Sequence, residues 1–246
     1  MYDIIGDIHG CYEEMIELFQ RLGYKRKENH YTHPDGRQLV FLGDLTDRGP
    51  ASIPVIEAVG AIINTKNGLY CPGNHCDKLY RYFIGRNVKI NNGLETTVAE
   101  WKDLNDQRQS QIKKLFCDLY EQSPLYHVLD DRKLVVAHAG VRPVDIGRTD
   151  KKVKTFVLYG DITGEKHEDG RPVRRDWAAN VRSKPLIVYG HTPVKQVRGI
   201  NNTLNIDTGC VFGGKLTAFC WPEHKIVDVS SKQPYQDDRF RTFNNH

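Results

Sequence analysis

Five apolar runs in this chain end the same way, and that repetition limits what it can fold into more than any other feature. "YDIIG" leads into Asp7, with His9 two residues on; "LVFLG" leads into Asp44; "LYCPG" into Asn74 and His75; "LVVA" into His138; and "LIVYG" into His191. Each run is short, and most are closed by glycine, as expected of buried strands. Taken singly, an Asn or His after Pro-Gly is turn chemistry or a helix cap. In an open α/β sheet, however, ligands gather in the crevice beyond the carboxyl ends of the strands. Five such ends, each carrying a side chain that can hold a metal, predict one site rather than five turns.

The rest of the chain fits that frame. Residues 12–22 put Met15, Leu18, Phe19 and Leu22 on one helical face, with Gly23 as the stop. Residues 51–63 repeat the pattern at Ile56, Val59 and Ile63. Residues 94–122 read as two more helices, the second striped by Ile112, Leu115, Phe116 and Leu119. Strands are expected at 2–6, 38–42, 69–72, 133–137 and 186–190, then at 203–207, 215–220 and 225–229. The early strands alternate with helices and the last three follow closely, so an α/β fold with antiparallel pairing near the C-terminus is expected. No repeat, low-complexity tract or linker interrupts the chain, and a single domain over residues 1–246 is the expectation.

Composition excludes several classes. A net charge of +4 over 246 residues suits an anionic small molecule but is too weak a signal for nucleic-acid binding. Six cysteines without a C-x-x-C spacing argue against a disulfide scaffold and for reduced thiols. No stretch approaches the roughly 18 apolar residues of a membrane span, and no leader pattern opens the chain, so a cytoplasmic location without membrane contact is expected.

The donors at the strand ends are two carboxylates, an amide oxygen and three imidazoles. A mixed O/N set without thiolate favours Mn²⁺, Fe, Ni²⁺, Zn²⁺ or Co²⁺ over Ca²⁺. Six donors are too many for one catalytic ion that must keep open positions. They suit two ions roughly 3.5–4 Å apart, with one carboxylate bridging.

In order, "GDIHG", "GDLTDRG", "GNH", "VAHAG" and "YGHTP" resemble the motifs of calcineurin-like metallophosphoesterases of the serine/threonine-phosphatase type, across residues 6–193. The resemblance implies a sandwich of two mixed β-sheets flanked by helices, with a helical insertion near 84–125 placed to cap the site. It also implies that Asp7, His9 and Asp44 hold a first metal, and Asp44, Asn74, His138 and His191 a second. A hydroxide bridging the metals would attack phosphorus in line. His75, oriented by Asp47, would serve the leaving oxygen, and Arg48 would grip the phosphoryl group. The residue chemistry agrees: a guanidinium fork matches phosphate oxygens, and an Asp in "DLTD" can fix an imidazole tautomer.

The chain departs from that pattern twice. Pro193 stands where some relatives have a second imidazole for the first metal, and Cys76 follows Asn74-His75 where a glutamate is usual. Cys76 is either a buried packing thiol or a redox-sensitive one with a depressed pKa.

Substrate class rests on two further segments. "FVLYGDITGEKHEDGRPVRRDWA" (156–178) and "NIDTGCVFGGKLTAF" (205–219) resemble both PrpE-type bis(5′-nucleosyl)-tetraphosphatases and the phosphatase module of bacterial polynucleotide kinase-phosphatases. The former likeness includes "GNHC" and "KLYRY", and the chain length favours it. It implies asymmetric hydrolysis of diadenosine tetraphosphate to ATP and AMP, with nickel or manganese. Arg171, Arg174 and Arg175 are then candidates for the phosphate chain, and Trp101 with the tyrosines of "KLYRYF" for stacking on adenine or for plain packing. The alternatives are a protein phosphatase acting on serine, threonine or tyrosine phosphate, a nucleic-acid-end phosphatase or 2′,3′-cyclic phosphodiesterase, and a non-catalytic scaffold.

Overall fold

A computed structural model describes residues 1–166 and 172–243. In chain order these form β1 (Tyr2–Ile5), α1 (Tyr12–Leu22), β2 (Lys25–Lys27), β3 (His30–Thr32), β4 (Gln38–Phe41), α2 (Ser52–Asn64) and β5 (Gly68–Tyr70). The helices α3 (Asn74–Phe83), α4 (Leu94–Lys102) and α5 (Asp106–Gln122) follow, then β6 (His127–Leu129), β7 (Leu134–Val136) and α6 (Lys151–Tyr159). The last part holds β8 (Ile162–Lys166), β9 (Pro172–Arg174), β10 (Leu186–Tyr189), β11 (Arg198–Ile200), β12 (Thr203–Asn205), β13 (Lys215–Trp221) and β14 (Lys225–Ser230).

Two mixed five-stranded sheets carry the architecture, ordered β14-β13-β1-β4-β5 and β11-β12-β10-β7-β6. Within them β1-β4-β5 and β7-β10-β12 run parallel, while β13, β14, β6 and β11 join antiparallel. Side chains alternate across a strand, so neighbouring apolar residues serve opposite faces. Ile4, Val40, Val136 and Val188 meet in one apolar layer shared by both sheets. Ile5, Leu39 and Phe41 face α1, α2 and the helical insertion, while Val135 and Ile187 face α6. Helices thus cover both outer faces, which is why the parallel strands read as unbroken apolar runs rather than as alternating ones.

The fold corrects three expectations. Residues 203–205 do not pair with the strands after them; β12 lies parallel to β10 in the second sheet, and only β13 and β14 form the expected antiparallel pair. The hairpins β2–β3 and β8–β9 were not foreseen, because their mostly exposed residues carry no apolar signal. The segment 84–125 is also more than a cap: α4 and α5 pack against α2 and α3 and deliver Leu94, Val98, Ile112, Phe116 and Leu119 to the main core. Phe116 is fully buried. Phe116→Ala should cost about 3–5 kcal/mol of stability, checked by urea denaturation, with the loss of activity following unfolding rather than preceding it.

Candidate active site

The carboxyl ends of β1, β4 and β5 in one sheet meet those of β7 and β10 in the other, and every strand-end donor lies there. Asp44 Oδ2 is 3.6 Å from His9 Nε2 and 3.4 Å from His138 Nε2. His138 Nε2 is also 3.1 Å from Asn74 Oδ1 and 3.0 Å from His191 Nδ1. The Asp7 carboxylate accepts the His191 backbone N–H at 3.1 Å, and Asp44 Oδ1 accepts that of His75 at 2.9 Å. Two groups of potential ligands emerge, His9–Asp44–His75 and Asp44–His138–His191, with Asp44 common to both.

Holding these donors together needs unusual backbone. His9, Asp44, Asp47, Arg48 and His191 all have positive φ, between 39° and 76°. Such left-handed conformations are uncommon outside glycine and concentrate where function requires them. Two glycines make room at the ligands. A Cβ on Gly73 would lie 2.1 Å from Asp44 Oδ1, and one on Gly190 the same distance from Asp7 Oδ1.

The electrostatics prepare the donors for cations. His9 Nδ1 donates to Thr46 O at 2.8 Å and His138 Nδ1 to Leu42 O at 3.0 Å, which leaves both Nε2 lone pairs facing inward. Burial pushes His9, His138 and His191 below the ordinary imidazole range, aided by Arg48 at His9 and by Arg174 at His191. Burial opposes ionisation of Asp44, but His138, His75, His9 and His191 outweigh it and hold its carboxyl below the ordinary range. Asp7 is pushed up by burial and by the carboxylates of Asp207 and Asp44. Around His138 Nε2, three acceptors therefore face one another at hydrogen-bond distance, and His191 Nε2 is buried without a partner. Carboxylate, amide and imidazole acceptors converging in this way fit divalent cations.

His75 is set apart from this cluster by its own support. Its Nδ1 donates to Asp47 Oδ2 at 2.7 Å. Asp47 Oδ1 in turn accepts from the Thr97 hydroxyl at 2.8 Å, and that same oxygen of Thr97 accepts the Asp47 N–H at 2.9 Å. Thr97 sits on α4, so the insertion braces the His75–Asp47 pair from behind. Helical spacing placed Leu94 and Val98 in the core but gave no sign that the threonine between them reaches Asp47. Thr97→Val keeps the shape and removes the hydroxyl; kcat should fall roughly 10–100-fold with the metal content measured by atomic absorption unchanged.

Among the candidate arginines, Arg48 Nη1 donates to His9 Nε2 at 2.8 Å while its guanidinium covers the Phe212 ring at 5.4 Å, which keeps it at the ligand cluster. Arg174 donates through Nε to Tyr159 O at 2.8 Å and lines a cleft that reaches His191. Arg175 lines the same cleft from an exposed position and lies 3.4 Å from Asp161. Arg171 lies outside the described residues.

For the candidates with two open readings, the structure favours packing. Cys76 is buried, and burial with Asp44 pushes its thiol up to about 12, the opposite of what a reactive thiol needs. Trp101 donates to Gln109 O and packs on Phe83, and Tyr80 stacks on Tyr120 at 4.2 Å, so these rings serve the core of the insertion rather than a base. Asp207 was missed: it is buried beside Asp7 and, by burial with help from Asp44, pushed up to about 7. The strand-end rule could have reached it, because the strand expected at 203–207 also ends in a carboxylate.

Comparison with known proteins follows the same residues. Residues 2–230 match the calcineurin-like phosphoesterase family. A protein from Anoxybacillus flavithermus named bis(5′-nucleosyl)-tetraphosphatase PrpE [asymmetrical] is 58% identical over 243 residues, covering 99% of each chain. Its namesake from Bacillus cereus is 60% identical over 241 residues, covering 98% of each. Among solved structures, that of a candidate diadenosine tetraphosphatase superposes with a TM-score of 0.65 at 23% identity, covering 94% of this chain and 93% of that one. A serine/threonine phosphatase from Saccharomyces cerevisiae superposes with a TM-score of 0.61 at 14% identity, covering 96% of this chain and 81% of that one. At such identities the structural likeness speaks for the fold alone, but the sequence likeness extends over nearly every residue: the chain belongs to the calcineurin-like phosphoesterase family.

Proposed function

We propose that this chain hydrolyses dinucleoside polyphosphates, and diadenosine tetraphosphate asymmetrically to ATP and AMP, with two divalent transition-metal ions, nickel or manganese, held by Asp7, His9, Asp44, Asn74, His138 and His191. The observation that carries the phosphoesterase chemistry is the pair of ligand groups sharing Asp44, in one of which His75 is held by a separate hydrogen bond to Asp47. The substrate follows from the relatives of 58–60% identity that are named as asymmetrical tetraphosphatases. We read residues 1–246 as one domain, supported by the apolar layer that both sheets share.

Divalent cations in such a site lower the pKa of bound water towards about 7 and offset the charge of the phosphate. The chain's own groups do the rest. The neutral imidazoles of His9, His138 and His191 present lone pairs without a proton to displace. Arg48 orients the phosphoryl oxygens at the His9 side and Arg174 at the His191 side, so the phosphorus is held between them. Asp47 fixes Nδ1 of His75, which leaves Nε2 to hand a proton to the departing oxygen. No helix among the described residues is long and apolar enough to cross a membrane.

Removing the fork at the cleft should show in binding. Arg174→Ala is expected to lower kcat/KM for diadenosine tetraphosphate by roughly 10–100-fold, the size of one or two charge-assisted hydrogen bonds. The activity itself is tested by reloading metal-free protein with Mn²⁺, Ni²⁺ or Zn²⁺ and separating products by ion exchange. ATP with AMP supports the proposal, and two ADP would reverse the cleavage geometry. Free phosphate from a phosphopeptide, with the tetraphosphate untouched, would replace it with the protein-phosphatase reading.

A further inference from the structure

Two residues after His9 a second cluster of donors begins, with a different chemistry. Cys11 stands at the start of α1, Glu14 follows three residues on, and Cys210 opens the short turn Cys210–Phe212 between β12 and β13. A spacing of three at the start of a helix puts Cys11 and Glu14 on one side of it. Gly209, in the left-handed region at φ 68°, turns the later segment so that Cys210 meets them. One donor atom from each, two sulfurs and a carboxylate oxygen, lie within 4.8 Å of one another. All three residues are closed to solvent: Cys11 is 0% exposed, Glu14 2% and Cys210 1%.

The thiols alone would be packing, since both belong to the core cluster that α1 joins. The carboxylate is what needs an explanation, because a buried carboxylate is costly unless it is paired or bound to a metal. Among the described residues no lysine, arginine or histidine nitrogen lies within 4.0 Å of the Glu14 carboxylate, and the Lys232 ammonium goes instead to Glu13 at 2.6 Å. Glu14 Oε1 accepts the Lys232 N–H at 2.8 Å, and the start of α1 adds a partial positive charge. Neither is a full counter-charge. Beside the carboxylate stand two sulfurs. Cys11, together with burial, pushes the Cys210 thiol up, so that sulfur keeps its proton until a cation takes the proton's place. The Ser231 hydroxyl, which accepts the Gln233 N–H at 2.9 Å, lies against Cys210 as a further oxygen donor.

We propose that Cys11, Glu14 and Cys210 bind one zinc ion, in a site separate from the strand-end donors and additional to the two cations proposed there. Two thiolates with a carboxylate suit zinc, whereas Mn²⁺ prefers oxygen and nitrogen donors and leaves the cluster alone. Binding releases the two thiol protons to solvent and forms two zinc–sulfur bonds and one zinc–oxygen bond. The ion ties the start of α1 to the turn that carries Phe212, whose ring lies under the Arg48 guanidinium. Its role is structural: it stiffens the side of the active site where His9 and Arg48 meet.

The test titrates the reduced, metal-free chain with Co²⁺ as a spectroscopic stand-in for zinc, in the presence of excess Mn²⁺. Thiolate ligation gives Co²⁺ a sulfur-to-metal charge-transfer band in the near ultraviolet, which oxygen and nitrogen donors do not. Wild type should develop this band, and Zn²⁺ should erase it. Cys11→Ser and Cys210→Ser should each lose most of it, while Cys117→Ser, which alters a thiol outside the cluster, should keep it. Glu14→Gln keeps both sulfurs and should weaken Co²⁺ binding at least as much as loss of an outer partner does, roughly 10–100-fold. Asp44→Ala should leave the band intact, so the zinc site stands or falls apart from the phosphoesterase reading. A wild-type protein without the band would overturn the site whatever the variants do. A band that survives Cys210→Ser would overturn it too, as would unchanged Co²⁺ affinity in Glu14→Gln, because the carboxylate is the reason to expect a cation.

Discussion

Asp44→Ala is expected to abolish hydrolysis and to cost the chain both of the proposed cations at once. Asp44 is the only residue common to the two ligand groups, its Oδ2 facing His9 on one side and His138 on the other. It is almost fully buried, yet four imidazoles hold it ionised. Without it, His9 and His191 can each contribute a neutral nitrogen, but no anion remains between them to draw two like charges together. The loss is not a folding defect, since the carboxylate lies at a strand end rather than within the apolar layer, and circular dichroism should be unchanged. Measured by atomic absorption after dialysis, Asp44→Ala should retain neither ion. Retention of two ions, even with dead chemistry, would remove Asp44 from its bridging place.

His75→Ala is expected to lower kcat by about 10²–10⁴-fold while the proposed cations stay bound. The imidazole is held by Asp47, and its backbone N–H, which the substitution keeps, still supports Asp44. The deficit therefore belongs to the proton and not to the ligands. It should grow as the leaving group becomes more basic and shrink for p-nitrophenyl phosphate, whose leaving group needs little help. Asp47→Asn should follow the same trend more weakly, because an amide can hold the ring but not balance its charge. Full activity of His75→Ala on a poor leaving group would exclude His75 as the acid.

How much of this was legible before the structure depended on how each feature is encoded. The parallel strands are buried on both faces, so they appear as unbroken apolar runs, and the residue that follows each one is exposed to the same crevice. That is why Asp7, Asp44, Asn74, His138 and His191 could be found by position alone, and why Asp207 should have been. The helix over 151–159 was not expected, although a signal was there: Asp150 accepts the N–H groups of Lys152 and Val153 as a cap. Thr97 carried none, because it acts through a contact made across the fold with Asp47, 50 residues away, which helical spacing does not encode. The role of Trp101 was ambiguous for a related reason, because an aromatic at helical spacing looks the same whether it meets a base or Phe83.

The central claim is that two cations share Asp44 in one phosphoesterase site, and the most direct measurement is a titration of metal-free protein with Mn²⁺ that follows bound metal and diadenosine tetraphosphate hydrolysis together. Activity should rise to its full value as the second equivalent per chain binds, with His9→Ala and His191→Ala each stopping at one. Full activity at one equivalent, or hydrolysis that persists in the presence of a strong chelator, would contradict the account.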